Sequence, residues 1–143
     1  VTIVVCPYCG RNAELVPYDS VKPGWSGSCY LCRPCQAWVG VHGPGTSLAD
    51  KPLGTLANAE LRKARQAVHT PFDRLWRRGA MTRTEAYRWL AQRMSLPAWA
   101  CHIAMFDLAQ CQEALSTLAT LEREKGRQAV KPPPLEFSNK LPL

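Results

Sequence analysis

Acidic side chains are in short supply in this 143-residue chain, where eleven Asp and Glu face eighteen Lys and Arg and leave a formal charge of +7. An excess of that size disfavours polycationic partners and favours polyanions. Long apolar runs are missing as well. No stretch approaches the ~20 residues that a membrane helix needs, so no membrane partner is expected. Val1–Val5 is too short for the apolar core of a secretory leader and has no basic segment before it, so a cytoplasmic location is expected. The sequence also has no phosphate loop, no zinc-protease motif, no carboxylate pair of the nuclease kind and no internal repeat. It therefore does not read as an enzyme. The one catalytic alternative is a hydrolase assembled from His42, His69 and His102 with Asp73 and Asp107. It competes with simpler roles, because His69 suits a helix end and Asp107 a helix cap.

Cysteine is what the chain has in plenty, with seven. Without a leader they point to a reducing compartment, where thiols bind metal or stay buried. Four fall in two C-x2-C pairs, Cys6-Pro7-Tyr8-Cys9-Gly10 and Cys32-Arg33-Pro34-Cys35. Two cysteines three apart turn both sulfurs inward around a tight knuckle, and Gly10 supplies the backbone freedom that the turn requires. Two knuckles offer four thiolates, the set a structural zinc ion accepts tetrahedrally at about 2.3 Å. The expectation is one structural zinc held by Cys6, Cys9, Cys32 and Cys35. A redox pair would want a single such motif at the start of a helix. Cys29 and Cys32 form an overlapping C-x2-C pair, and His42 is a substitute donor. Cys32 with Cys35 is favoured because Arg33-Pro34 matches the proline-bearing first knuckle.

Charge is distributed unevenly. Between Leu61 and Arg93 nine basic residues meet only Asp73 and Glu85, and the rest of the chain sums to zero. Four thiolates and one zinc ion together carry −2, which brings a metallated chain to about +5.

Residues 1–45 are expected to form a zinc ribbon of short antiparallel strands. Val1–Val5 leads into the first knuckle, Ala13–Pro17 pairs back across it, and Ser28–Leu31 and Ala37–Val41 flank the second. Trp25, Trp38 and Tyr30 are assigned to core packing. A basic helical domain is expected over 46–128. Ala57, Leu61, Ala64 and Val68 form the apolar line of a first helix, with Arg62, Arg65, Gln66 and His69 on the adjacent face. Thr70-Pro71 reads as a restart, giving a short second helix over Phe72, Leu75 and Trp76 that Gly79 ends. Thr82-Arg83-Thr84-Glu85 is a capping box for a third. Asp107 opens a last helix that runs to Gly126. Residues 129–143, with Pro132-Pro133-Pro134, read as a Pro-rich flexible tail. The expected class is α+β, a ribbon packed on a bundle of about four helices.

Several blocks resemble one family. Cys6–Gly10, Cys32–Ala37, Val39–His42, Lys51–Arg62, Ala67–Trp76, Glu85–Leu90 and Cys101–Asp107 are similar to those of zinc-finger-containing proteins of phages and bacterial mobile elements. The resemblance spans residue 6 to about 118. It implies a zinc ribbon joined to helices, a phage or mobile-element origin and a bacterial host cytoplasm, and it implies no activity.

The leading functional expectation is binding of DNA or RNA through the Arg-rich helices, with Arg62, Arg65, His69, Arg74, Arg77 and Arg78 as contact residues. The alternative is a regulator or inhibitor that binds a host protein through the ribbon and the Pro-rich tail.

Overall fold

A computed structural model describes residues 2–130, with side chains through Lys125. Strands β1 (Glu14–Pro17), β2 (Ser28–Cys32) and β3 (Ala37–Gly40) form an antiparallel sheet in the order β1-β2-β3. Leu15 pairs with Tyr30, which in turn pairs with Val39. Strand alternation sends Tyr30, Cys32, Ala37 and Val39 into one small core with Cys6 and Leu56. Val4 and Val5 do not form a strand. Val5 bridges Asn12 and the Ala13 amide donates to the Val4 carbonyl at 2.7 Å, which closes a loop around the first knuckle.

The helices follow as α1 (Ala59–Arg77), α2 (Arg83–Met94) and α3 (Leu108–Val130). Three helices replace the expected four or so, because α1 runs unbroken through Pro71. Its buried residues, Leu61, Arg65, Val68, Phe72 and Leu75, repeat at intervals of four and three on both sides of the proline. One continuous stripe on the core outweighs a proline that removes one backbone hydrogen bond and costs about 3 kcal/mol in a helix interior. Residues 98–105 add only two single 3₁₀ turns, Ala98–Ala100 and Ile103–Met105. The last helix passes Gly126, where a glycine costs about 1 kcal/mol relative to alanine and is tolerated. The tail expected over 129–143 lies outside the described residues from 131 onward.

Helix starts are built as the residues suggest. Asn58 caps α1, its side-chain oxygen accepting from the Leu61 amide at 3.0 Å. Thr82 and Glu85 cap α2 reciprocally. Asp107 and Gln110 do the same for α3, at 2.8 and 3.0 Å. The larger core lies among the three helices, where Phe72, Leu90, Ile103, Phe106 and Leu118 are fully buried. Phe72 and Tyr87 stack with centroids 4.4 Å apart.

Ribbon and helices are stitched together by the connector ahead of α1. Ala57 exchanges both backbone hydrogen bonds with Trp38 of β3, at 3.0 and 3.1 Å. Leu56 packs in the ribbon core and its neighbour Ala57 in the helical core, so consecutive side chains bind the two units. Gly54 lies against the turn at 103–105, where an added Cβ would overlap the Ala104 carbonyl. Glycine is what permits that approach.

Candidate metal centre and basic surface

Each knuckle is held by its own backbone. The Cys6 amide donates to the Arg11 carbonyl at 2.8 Å and the Gly10 amide to the Cys6 carbonyl at 2.9 Å. The residue after the second cysteine is left-handed in both knuckles, Gly10 at φ +79° and Gln36 at φ +51°. Gln36 lacks glycine's freedom, but its side-chain amide is anchored on the Arg33 carbonyl at 2.8 Å.

The four sulfurs of Cys6, Cys9, Cys32 and Cys35 lie within 4.8 Å of one another, and Cys9 and Cys32 are 3.6 Å apart. Four thiolates sharing one ion at 2.3 Å stand about 3.8 Å from each other, so the arrangement fits a single tetrahedral zinc. Four protein ligands leave no open position, which makes the site structural and gives it no evident catalytic role. The thiols differ in acidity. A hydrogen bond from the Arg11 backbone draws Cys9 down to about 7, while burial and the neighbouring sulfurs push Cys35 up to about 12.

Cys29 lies on β2 opposite Gly40, fully buried and outside the cluster, and its thiol is pushed up by burial. His42 is likewise outside it. Cys101 and Cys111 are buried members of the helical core. Among the described residues the four knuckle cysteines are the single group of three or more metal-binding side chains close enough to share an ion.

The six side chains expected to contact nucleic acid divide into four groups. Arg65 points inward and is 8% exposed. Its guanidinium donates to the Phe106 carbonyl at 3.0 Å, the Thr55 carbonyl at 2.8 Å and the Thr55 hydroxyl at 2.6 Å. Its donors tie the connector to the segment before α3, and that role removes it from the surface. Arg62 lies over the Trp38 ring, 3.4 Å from the centroid, and donates to the Ala57 and Gln36 carbonyls. It fastens α1 to the second knuckle. The Asn58 amide, donating to the Tyr8 hydroxyl at 3.1 Å, fastens it to the first.

Arg74 and Arg77 are exposed in the last turn of α1, and Arg78 is exposed at its C-cap. His69 is half-buried beside Asp73 at 3.5 Å. Asp73 also accepts from the Trp76 indole at 3.1 Å and stands 3.8 Å from Arg77. Glu85 folds back onto the Thr82 amide. Both acids of the basic stretch are thus engaged within their own helices.

Residues that sequence reasoning missed or misplaced border a groove of about 440 Å³ between ribbon and α1, lined by Lys22, Trp25 and Trp38 on one wall and Arg62, Lys63 and His69 on the other. Trp25 was expected in the core but is 53% exposed. The signal available was its position directly after Pro23-Gly24, in a polar loop with no partner strand.

A three-stranded sheet with two cysteine knuckles, followed by three helices, defines a zinc-ribbon-like protein. Residues 2–121 match the zinc-finger-containing domain family DUF3268, and the chain belongs to that family. No curated protein and no solved structure matches the chain. No helix among the described residues is long and apolar enough to cross a membrane.

Proposed function

We propose that this chain is a zinc-stabilised nucleic-acid-binding protein, working in the bacterial cytoplasm in a phage or mobile-element setting. The observation that carries the reading is the uncancelled charge on the outer side of α1 and α2. Lys63 and Arg74 on α1 and Arg78 at its C-cap, spaced eleven and four residues apart, share one side. Arg77, 3.8 Å from Asp73, lies beside them with its charge partly offset. Arg83, Arg88 and Arg93 are exposed on α2. Lys63 to Arg78 spans about 22 Å of helix, long enough to meet several successive phosphates. The zinc contributes indirectly, by holding the two knuckles on which the start of α1 is docked. Arg65 leaves the contact set, Lys63 joins it, and Arg62 contributes only what its stacked guanidinium still presents.

One observation favours the second reading, a regulator that binds a host protein. Ile3, Val5 and Leu15 are 70, 53 and 47% exposed on the ribbon, which is apolar surface of the kind partner proteins cover.

The test is binding of the zinc-loaded chain to labelled single- and double-stranded DNA and RNA at two salt concentrations. Affinity should fall steeply with salt, and an Arg74/Arg77/Arg78→Ala variant should lose about two to three units of the log–log salt slope. Absence of duplex and single-strand binding at low salt would sink the reading and leave the ribbon surface as the place to seek a protein partner.

A further inference from the structure

We infer that the groove between the ribbon and α1 is a binding site for single-stranded nucleic acid, taking a base against Trp25 and its phosphate against the cations of the opposite wall. The inference rests on the nucleic-acid reading above and adds a separate site with its own chemistry.

The groove combines the two features that unpaired strands require. One is an aromatic face. Trp25 is 53% exposed although its loop is firmly held. The Tyr18 amide donates to the Gly27 carbonyl at 2.9 Å, the Gly24 amide to the Asp19 carboxylate at 2.6 Å and the Trp25 amide to the Lys22 carbonyl at 3.1 Å. Tyr18 braces the indole at 5.4 Å and 41°. An exposed indole on so fixed a loop is a stacking surface for which only the Lys22 side chain over the ring has to swing aside. Every base has a π-face, so stacking on it tolerates any sequence.

The other feature is positive charge. The Lys22 ammonium lies over the Trp25 ring, 3.9 Å from its centroid, so a stacking base displaces it toward the phosphate. Arg62 and Lys63 line the facing wall with the His69 ring beside them. No acidic residue lines the groove. The Arg62 guanidinium, already flat on Trp38, offers a second planar surface on which a neighbouring base can stack. The volume falls in the range of small-ligand sites and suits a nucleotide unit, whereas a duplex is too wide to enter. Duplex contact runs from Lys63, which borders both sites, to the exposed arginines at the far end of α1. The two activities are therefore separable by mutation at Trp25 and Lys22, which belong to the groove alone.

The experiment compares zinc-loaded wild type with Trp25→Ala, Trp25→Phe and Lys22→Ala, by anisotropy with a labelled single strand and with the matching duplex. Zinc content and thermal midpoint confirm that each variant is folded. Trp25→Ala should weaken single-strand binding by about 5- to 150-fold, the range spanned by one lost stacking contact, with duplex binding unchanged. Trp25→Phe should retain most of the affinity and Lys22→Ala should reduce it. Equal loss on both ligands, or no loss on either, would overturn the groove. So would displacement of the strand by polyglutamate as readily as by an unlabelled strand, since that would mark the groove as a generic anion surface. A wild type that binds duplex alone sinks this inference and leaves the parent reading standing, while one that binds neither ligand sinks both.

Discussion

At the scale of single residues, identity and local spacing set some roles and distant partners set others. The four zinc cysteines are of the first kind. Two sulfurs three residues apart meet because the knuckle itself turns them, whatever the rest of the chain does. Arg65 is of the second kind. Its type and its place in a run of cations suggest a surface residue, yet it occupies the stripe Leu61–Arg65–Val68 and donates to a carbonyl 41 positions away. Periodicity contained the clue, but charge obscured it. The structural role can be tested directly. Arg65→Lys keeps the charge and loses the fork that spans Thr55 and Phe106, so it should cost about 2–3 kcal/mol of stability in denaturant unfolding. Nucleic-acid affinity should stay unchanged wherever the variant is folded. Cys29 teaches the converse lesson. Two overlapping C-x2-C pairs were legible, and the proline in Arg33-Pro34 was enough to favour Cys35 over Cys29. The strand register supplies the reason by turning Cys29 away from Cys32.

Single elements were legible where their ends carry side-chain signals. The caps at Thr82 and Asp107 lie where their residue types place them, and β2 and β3 flank the second knuckle as alternation predicts. Pro71 misleads because a local rule about helix starts yields to a tertiary fact, the unbroken stripe from Leu61 to Leu75. The proline is therefore a net burden within α1. Pro71→Ala restores an amide to the ladder and should raise stability by about 1–3 kcal/mol, read from denaturant midpoints. The cap of α2 makes a prediction about pH. The Thr82 amide holds the Glu85 carboxyl below its ordinary range. A carboxyl whose native pKa is depressed stabilises the fold above its unfolded pKa, and that contribution disappears as pH falls through the native value. Glu85→Gln should therefore be less stable than wild type at neutral pH, and the gap should close on acidification.

For the whole molecule, the organising feature is that the metal centre also positions the helices. The ribbon core has only six buried residues, too few to hold three short strands, and structural zinc contributes an apparent 10–16 kcal/mol in comparable modules. Both knuckles touch the start of α1, one through Tyr8 and Asn58, the other through Gln36 and Arg62. Chelation should therefore release the ribbon while the larger helical core keeps most of its far-ultraviolet helix signal. Hydrogen exchange should accelerate through the sheet and through the first turn of α1, and change little in α2. None of this coupling is visible in the sequence, where knuckles and helix are separate motifs. The two-part α+β order was legible because cysteine spacing and helical periodicity occupy different stretches. The groove was not, since it exists only where a ribbon loop and the side of α1 face each other. Its cations, apart from Lys22, had already been noticed as charge.

The most direct test of the metal centre is zinc K-edge absorption on the purified chain, combined with native mass spectrometry. The account predicts one zinc per chain in an all-sulfur shell of four ligands near 2.3 Å. Serine at Cys6, Cys9, Cys32 or Cys35 should disrupt that shell, and serine at Cys29 should leave it intact. A nitrogen ligand in the first shell, a dependence on Cys29, or a folded ribbon without metal would contradict it.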